Sequence, residues 1–382
     1  MQYRKFGKTG WDVSALGFGC MRLPTSDGGF SSPNVDEPQA IEIIRLGIDL
    51  GINYVDTAYP YHMGKSEKVL GKALAGSYRD RVKLVTKSPL FLLNDATDFD
   101  RFLAEQMERL RVEHIDLYLL HGLGASRWEK IKELDVLASA EAAIRDGRIG
   151  RLGFSFHDDT AAFKTIVDGY DGWAGCLIQH NYMDIENQAG TEGLRYAASH
   201  GLPVAIMEPL LGGTLAHPPA EAQAVFDEAQ RDWTPAEWAL QWLWDQPEVS
   251  LVLSGMGSAE QVEANVRAAG ESGVGSLTAD DHAVIDRARE AFRARMPVPC
   301  TRCGYCLPCP NGVNIPSNIE MYNDSVMYCN SDRQRLLYSM RLSADERADV
   351  CAACGECEEK CPQDIAIGEW MPKIHEALGG GG

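Results

Sequence analysis

ALGFGC at residues 15–20, AIEIIRLGIDLG at 40–51 and YVDTA at 54–58 make one strand–helix–strand unit. The outer runs are short and nearly continuous in apolar residues, while the middle one repeats apolar side chains at helical spacing. Further strands are expected at KLVTKS (83–88), IDLYLLH (115–121), RLGFSF (151–156), GCLIQHN (175–181), PVAIMEP (203–209) and VSLVLSG (249–255). Apolar strands separated by amphipathic helices predict a parallel sheet covered on both faces. The count of eight favours closure into a (β/α)8 barrel, with a doubly wound open sheet as the runner-up. GFGCMRLP at 17–24 lacks the third glycine and the immediate helix start of a dinucleotide fingerprint.

A barrel of this type takes about 250 residues, so a chain of 382 has room for a second, smaller module. The charged helical pattern DDHAVIDRAREAFRARM runs into Pro297 and Pro299, which should stop it. The expected organisation is a barrel at 1–285, a linker at 286–299 and a small, mostly helical second domain at 300–378, with Gly379 to Gly382 a disordered end. A formal charge of −19 repels nucleic acid and anionic membrane surfaces, and no apolar stretch approaches the length of a membrane span. The opening MQYRKFGKTGWDV carries no apolar signal region, which points to a reducing cytoplasm.

Eight of the eleven cysteines fall in two runs. CAACGECEEKCP places Cys351, Cys354, Cys357 and Cys361 at the Cys-x2-Cys-x2-Cys-x3-Cys-Pro spacing that wraps a cubane cluster. CTRCGYCLPCP sets Cys300, Cys303, Cys306 and Cys309 with a final gap one residue shorter. Two such runs suggest two [4Fe-4S] clusters, each run lending its fourth cysteine to the other cluster. That groups Cys300, Cys303, Cys306 and Cys361 against Cys351, Cys354, Cys357 and Cys309. Zinc is the weaker reading, because neither run has the histidines or longer intervals of zinc ribbons, and a reducing compartment disfavours disulfides. Cys20, Cys176 and Cys329 stand alone and read first as small buried hydrophobes.

In a barrel the functional groups sit where strands end. Asp56, Lys87, His121, Ser155, Gln179, Asn181 and Glu208 collect at those ends. With Tyr61, the strand-end residues Asp56, Lys87 and His121 resemble the tetrad of the aldo-keto reductase superfamily, which implies reduction of a carbonyl by hydride; such a step needs a proton donor at the developing alkoxide, and a free tyrosine is a weak acid at neutral pH. A lysine ammonium beside the phenol favours the phenolate and should lower its pKa. Tyr61, five residues after Asp56 in DTAYPYHMGKSE, is expected to be the general acid. Lys87 would tune it, Asp56 would hold Lys87, and His121 would orient the carbonyl oxygen. Tyr59 and His62 are rivals by proximity, with Tyr59 read as packing.

The tetrad of the aldo-keto reductase superfamily is an aspartate, a tyrosine five residues on, a lysine and a histidine on successive strand ends. The resemblance covers roughly residues 1 to 270. LGFGCMRLP, GFSFH, MEPLLGG and the cysteine-rich tail look like the oxidoreductases of that superfamily with an appended iron-sulfur domain. The resemblance implies NADP or NAD across the barrel mouth and a small carbonyl or alcohol substrate. Ser155 and Gln179 would hold the carboxamide, Gly19, Met21 and Met207 would contact the cofactor, and Gly255, Ser258, Gln261 and Asn265 would hold its adenosine end. The chain departs from the family at Phe156, where asparagine is usual, and at Met207, where an aromatic residue is usual. It also departs at Gly257, where a basic residue grips a 2'-phosphate. Ser258 and Gln261 also read simply as the start of a helix.

A nicotinamide delivers a hydride and clusters pass single electrons. Either a flavin splits the pair, or the clusters are structural, or the barrel is driven by ferredoxin without nicotinamide. The alternative outside catalysis is an electron carrier or redox-sensing subunit docked to another oxidoreductase, for which an intact tetrad has no use.

Overall fold

The structure, a computed structural model, describes residues 1–29 and 31–380; Gly381 and Gly382, at the end expected to be disordered, lie outside them. Its strands are β1 (Tyr3–Lys5), β2 (Asp12–Ser14), β3 (Leu16–Gly19), β4 (Tyr54–Asp56), β5 (Lys83–Ser88), β6 (Ile115–Leu123), β7 (Ile149–Phe156), β8 (Trp173–Gln179), β9 (Val204–Met207) and β10 (Val249–Ser254). β3 to β10 lie side by side in chain order, all parallel, and β10 pairs with β3. That closure makes a (β/α)8 barrel and removes the open-sheet alternative.

Alternation along the strands builds two layers. Tyr54, Val85, Leu117, Leu119, Leu177, Leu251 and Leu253 form one buried cluster that fills the barrel. Their strand neighbours Val55, Leu84, Tyr118, Leu120, Ile178 and Val252 pack outward with the helices. The helices include Glu37–Asp49, Lys65–Ala73, Asp98–Leu110, Thr160–Asp168, Gly190–Ser199, Pro235–Trp244 and Ala259–Gly270. Asp36 starts the first of these by accepting the Gln39 N–H at 3.1 Å.

The hairpin β1–β2 was not anticipated, because three-residue strands leave almost no periodic signal. Phe6, just after β1, joins the barrel cluster with its ring 5.9 Å from that of Tyr54, so the hairpin stoppers the end where the strands begin.

The chain divides into two compact units: Met1–Gly212 with Ala236–Thr278, and Gly213–Pro235 with the residues from Ala279 onward. Ala279–Arg293 is one helix, continuous through residue 286, and groups with the second unit. The rest of that unit is built on Ile315–Met327, Ser331–Arg341 and Ile367–Leu378, and no strand occurs in it among the described residues. Ile319, Met321, Tyr338, Met371 and Ile374 form its core. The Tyr338 hydroxyl donates to Asn318 Oδ1 at 3.0 Å and accepts the Ala348 N–H at 2.9 Å, tying the stretch between the cysteine runs together. Cys20 and Cys176 are buried as expected. Cys329 is not: it is exposed at a turn with φ +51°, and Arg295 Nη2 lies 3.3 Å from its sulfur.

One close approach tests the barrel packing. A Cβ on Gly153 of β7 would lie 2.4 Å from the Gly175 carbonyl oxygen and 2.8 Å from the Leu119 side chain. Gly153→Ala is expected to destabilise the chain by about 1–3 kcal/mol, read as a lowered midpoint in thermal or chemical denaturation.

Candidate active site

Asp56 ends β4, Lys87 lies one residue before the end of β5, and His121 lies near the end of β6. Tyr61 begins a short turn after β4 in which His62 and Met63 take left-handed backbone (φ +50° and +52°) before Gly64 at φ +84°. Three such residues in a row swing the chain back over the barrel mouth, a strained arrangement of the kind found at functional sites. The result brings Tyr61 to Lys87: its hydroxyl is 3.2 Å from Lys87 Nζ. Lys87 Nζ also donates to Asp56 Oδ1 at 2.5 Å and to the Thr57 carbonyl at 2.8 Å, which completes three donors to three acceptors. The His121 ring stands edge-on to Tyr61, with centroids 6.2 Å apart, so the four expected residues meet in one place.

Burial works against the Lys87 charge, yet Asp56 and Tyr61 outweigh it and hold the ammonium above the usual lysine value. Tyr61 departs from the sequence expectation. Burial pushes the phenol up, and the pull of Lys87 in the other direction does not cancel it. Tyr61 is therefore protonated at neutral pH. Burial, helped by Lys87, depresses His121 to about 3, so it is a neutral imidazole at pH 7. Its Nδ1 is buried with no hydrogen-bond partner among the described residues.

A buried polar layer behind the tetrad was missed. Glu67 accepts from Thr86 Oγ1 (2.7 Å), Gln106 Nε2 (2.5 Å) and Arg109 Nη1 (3.2 Å), and Gln106 Nε2 lies 3.1 Å from the Lys87 carbonyl. The available signal was an acid on the inward face of Lys65–Ala73, a position that buries a carboxylate only when it is paired. The rivals have other duties. His62 accepts the Leu23 N–H at Nε2 (3.2 Å) and donates from Nδ1 to the Ser32 carbonyl (2.7 Å), pinning the loop after β3. Tyr59 donates to Glu105 and lies under Arg109, as packing.

The expected cofactor contacts line the same rim in part. Gly19 ends β3 in register with Asp56, Met21 follows it half-buried, and Met207 of β9 is paired with Gln179 of β8. Ser155 Oγ accepts the Gly122 N–H at 2.8 Å, and the Gln179 amide is bonded to Asp184 and Gln188 at 2.9 Å each. Phe156 does not face the mouth: it is buried against Phe163, with rings 5.0 Å apart on the helix side of β7. Ser258 caps Ala259–Gly270 by accepting the Gln261 N–H at 3.3 Å, as the plain helix-start reading required. Gln261 Oε1 accepts the Gly257 N–H at 2.8 Å, and Asn265 donates to Ser254 Oγ at 3.1 Å, so a helix N-terminus opens beside Gly255 at the end of β10. Such an end suits phosphate oxygens. Arg267 is paired with Glu237 at 3.3 Å, whereas the Arg22 side chain lies directly along Gly255: a Cβ there would be 3.0 Å from it. Sequence reasoning passed over Arg22, because nothing in the chain order links it to residue 257.

In the second unit, Cys300, Cys303, Cys306 and Cys361 line one cavity with Ile315 and Ile319. Burial raises the Cys357 thiol to about 11, with Glu358, Cys351 and Cys309 adding to it, so Cys309 stands near the second run. The Arg302 and Ala353 N–H groups each point at the first sulfur of their run at 3.4 Å. Among the described residues no three His, Cys, Asp or Glu side chains converge as a single ion requires.

Comparison with known proteins agrees with this geometry. The model of the aldo/keto reductase family matches residues 15–290, and that of a 4Fe-4S dicluster domain matches residues 299–366. The oxidoreductase YrpG of Bacillus subtilis is 30% identical over 235 residues, 56% of this chain and 68% of its own length. L-Galactose dehydrogenase of Arabidopsis thaliana is 27% identical over 293 residues, 71% and 89% of the two chains. Among solved structures, the aldo-keto reductase AKR11C1 of Bacillus halodurans in its holo form superposes with a TM-score of 0.62 at 27% identity, covering 75% of this chain and 96% of that one. An aldo-keto reductase of Klebsiella pneumoniae in complex with NADPH gives 0.61 at 26%, covering 75% and 95%.

The depressed His121 pKa carries a stability consequence. The unfolded chain binds a proton near 6.5 and the folded one only near 3, so this group favours unfolding as pH falls from about 6.5 towards 3. Chemical denaturation at pH 7 and pH 5 is expected to show a smaller loss of stability in His121→Asn than in the parent chain.

Proposed function

The chain belongs to the aldo/keto reductase family, and on that premise we propose that it reduces a small-molecule carbonyl, or oxidises the corresponding alcohol, with NADP(H) as the hydride carrier. The observation that carries this reading is the Tyr61 hydroxyl 3.2 Å from a buried ammonium that Asp56 fixes. A bound nicotinamide supplies the hydride. In the direction of reduction, Tyr61 donates its proton to the oxygen on which negative charge develops, and the Lys87 ammonium stabilises the phenolate left behind. Asp56 and the Thr57 carbonyl keep the ammonium aimed. The neutral His121 donates a hydrogen bond to the same oxygen and sets its position between the two rings. Ser155 and Gln179 hold the carboxamide, and Gly19, Met21 and Met207 form the neighbouring rim. Gly255, Ser258, Gln261 and Asn265 receive the adenosine end, with Arg22 as the cation in place of a side chain at Gly257.

For the second unit we assign two [4Fe-4S] clusters, one on Cys300, Cys303, Cys306 and Cys361, the other on Cys351, Cys354, Cys357 and Cys309. The shared cavity of the first four and the nearness of Cys309 to Cys357 support the grouping. The clusters exchange electrons with a partner such as ferredoxin in a cytoplasmic setting. A flavin as the converter between pairs and single electrons has less to recommend it, since Phe156 faces a helix and leaves Met207 as the one altered mouth contact.

Anaerobic titration with NADPH and NADH, with and without a small carbonyl, tests the coupling. Bleaching of the cluster absorbance by NADPH supports coupled turnover, whereas bleaching only by dithionite or reduced ferredoxin supports the carrier reading. Tyr61→Phe is expected to lower carbonyl reduction by roughly 10²–10⁴-fold with iron content unchanged; parent-like turnover by that variant removes its acid role. Arg22→Gln is expected to weaken NADPH more than NADH, read from the KM for each. Equal effects on both would place Arg22 away from a 2'-phosphate.

A further inference from the structure

The end of the barrel opposite the tetrad holds a cavity of about 340 Å³. The β1–β2 turn makes one wall. Gly7, at φ +52°, lets that turn press onto Pro203 so closely that a Cβ would lie 2.6 Å from its ring. The first residues of three barrel strands make the opposite wall: Arg151 near the start of β7, Trp173 at that of β8 and Pro203 just before β9. Val167, Tyr170 and Leu202 add apolar surface.

This lining holds two permanent cations, Lys8 and Arg151. Acids outnumber bases 55 to 36 in the chain, and its cations commonly find a carboxylate, as Arg79 does with Asp116 and Arg148 with Asp100. Lys8 and Arg151 do not. Lys8 makes no ion pair or hydrogen bond among the described residues, and its stem passes Gly201, whose Cβ would lie 3.6 Å from Lys8 Cε. Arg151 donates to the Thr9 carbonyl at 2.8 Å and lies over Trp11, and it has no acid partner among those residues. His200 is occupied by the Tyr196 carbonyl at 2.9 Å and by Asp168 at 3.7 Å. Asp171 is the one acid in the lining, and it limits how much negative charge the pocket accepts.

We propose that this cavity binds a small monocarboxylate with a flat or branched apolar body, its carboxylate between Lys8 and Arg151 and its body against Trp173, Leu202 and Pro203. Its volume is at the lower end of small-molecule pockets, about 300–1,000 Å³. A guanidinium fixed by Thr9 and Trp11 is already organised for a planar carboxylate. The site is remote from the tetrad, so it serves as an effector or anchoring site, independent of the reaction proposed above. A ligand held there stabilises the fold by mass action.

Benzoate is the probe, with benzyl alcohol as the uncharged control, in calorimetric titrations of the full chain carrying its iron and in thermal unfolding. Benzoate is expected to bind and to raise the unfolding temperature, and benzyl alcohol to do neither. Lys8 is exposed, and Lys8→Glu is expected to keep the fold and to weaken benzoate at least roughly tenfold, a loss of about 1.4 kcal/mol, while Arg151→Lys retains part of the affinity. Tyr61→Phe, at the other end of the barrel, should leave the affinity unchanged. Absence of benzoate binding, an affinity unmoved by Lys8→Glu, or one lost in Tyr61→Phe would overturn the assignment.

Discussion

A single ammonium organises the barrel mouth. Lys87 is almost fully buried, and its three protons are taken by a carboxylate, a main-chain carbonyl and a phenol. Such a pair adds little net stability, because withdrawing both charges from water costs about what their attraction returns. Its value is geometric. An ammonium with a fixed set of acceptors cannot rotate away, and the Tyr61 hydroxyl is held wherever Lys87 is held. The Glu67, Thr86 and Gln106 layer extends the same constraint to the backbone of β5 through the Lys87 carbonyl.

The electrostatics also fix the direction in which Tyr61 is prepared. Burial raises its pKa and Lys87 opposes the rise without cancelling it, so the phenol keeps its proton at neutral pH. His121 completes the division of labour. A charged imidazole beside Lys87 would repel it, and the depression to about 3 removes that conflict. Both the phenol and the imidazole are therefore neutral at pH 7.

The second unit follows a different logic. Its core of Ile319, Met321, Tyr338, Met371 and Ile374 is small, and the cysteine loops are packed against it by their own partly buried thiols. A small core with long irregular loops gains definition from internal hydrogen bonds such as those of Tyr338, and bound metal–sulfur groups would supply more.

Strand and helix order, the closed barrel and the convergence of Asp56, Tyr61, Lys87 and His121 at one mouth were legible in the chain, as was the presence of a 4Fe-4S dicluster domain over the two cysteine runs. Apolar periodicity marks buried strands, and cysteine spacing reflects the dimensions of what the loop must wrap. The local chain could not reveal features made by residues far apart in sequence. The β1–β2 stopper, Arg22 against Gly255, Glu67 beneath Lys87 and the outward turn of Phe156 each depend on which strands become neighbours and which face of a strand points inward. The tyrosine shift belongs with them. Sequence established that a lysine would oppose the phenol's proton, but only the depth of burial, a property of the assembled barrel, decided that desolvation is the larger effect.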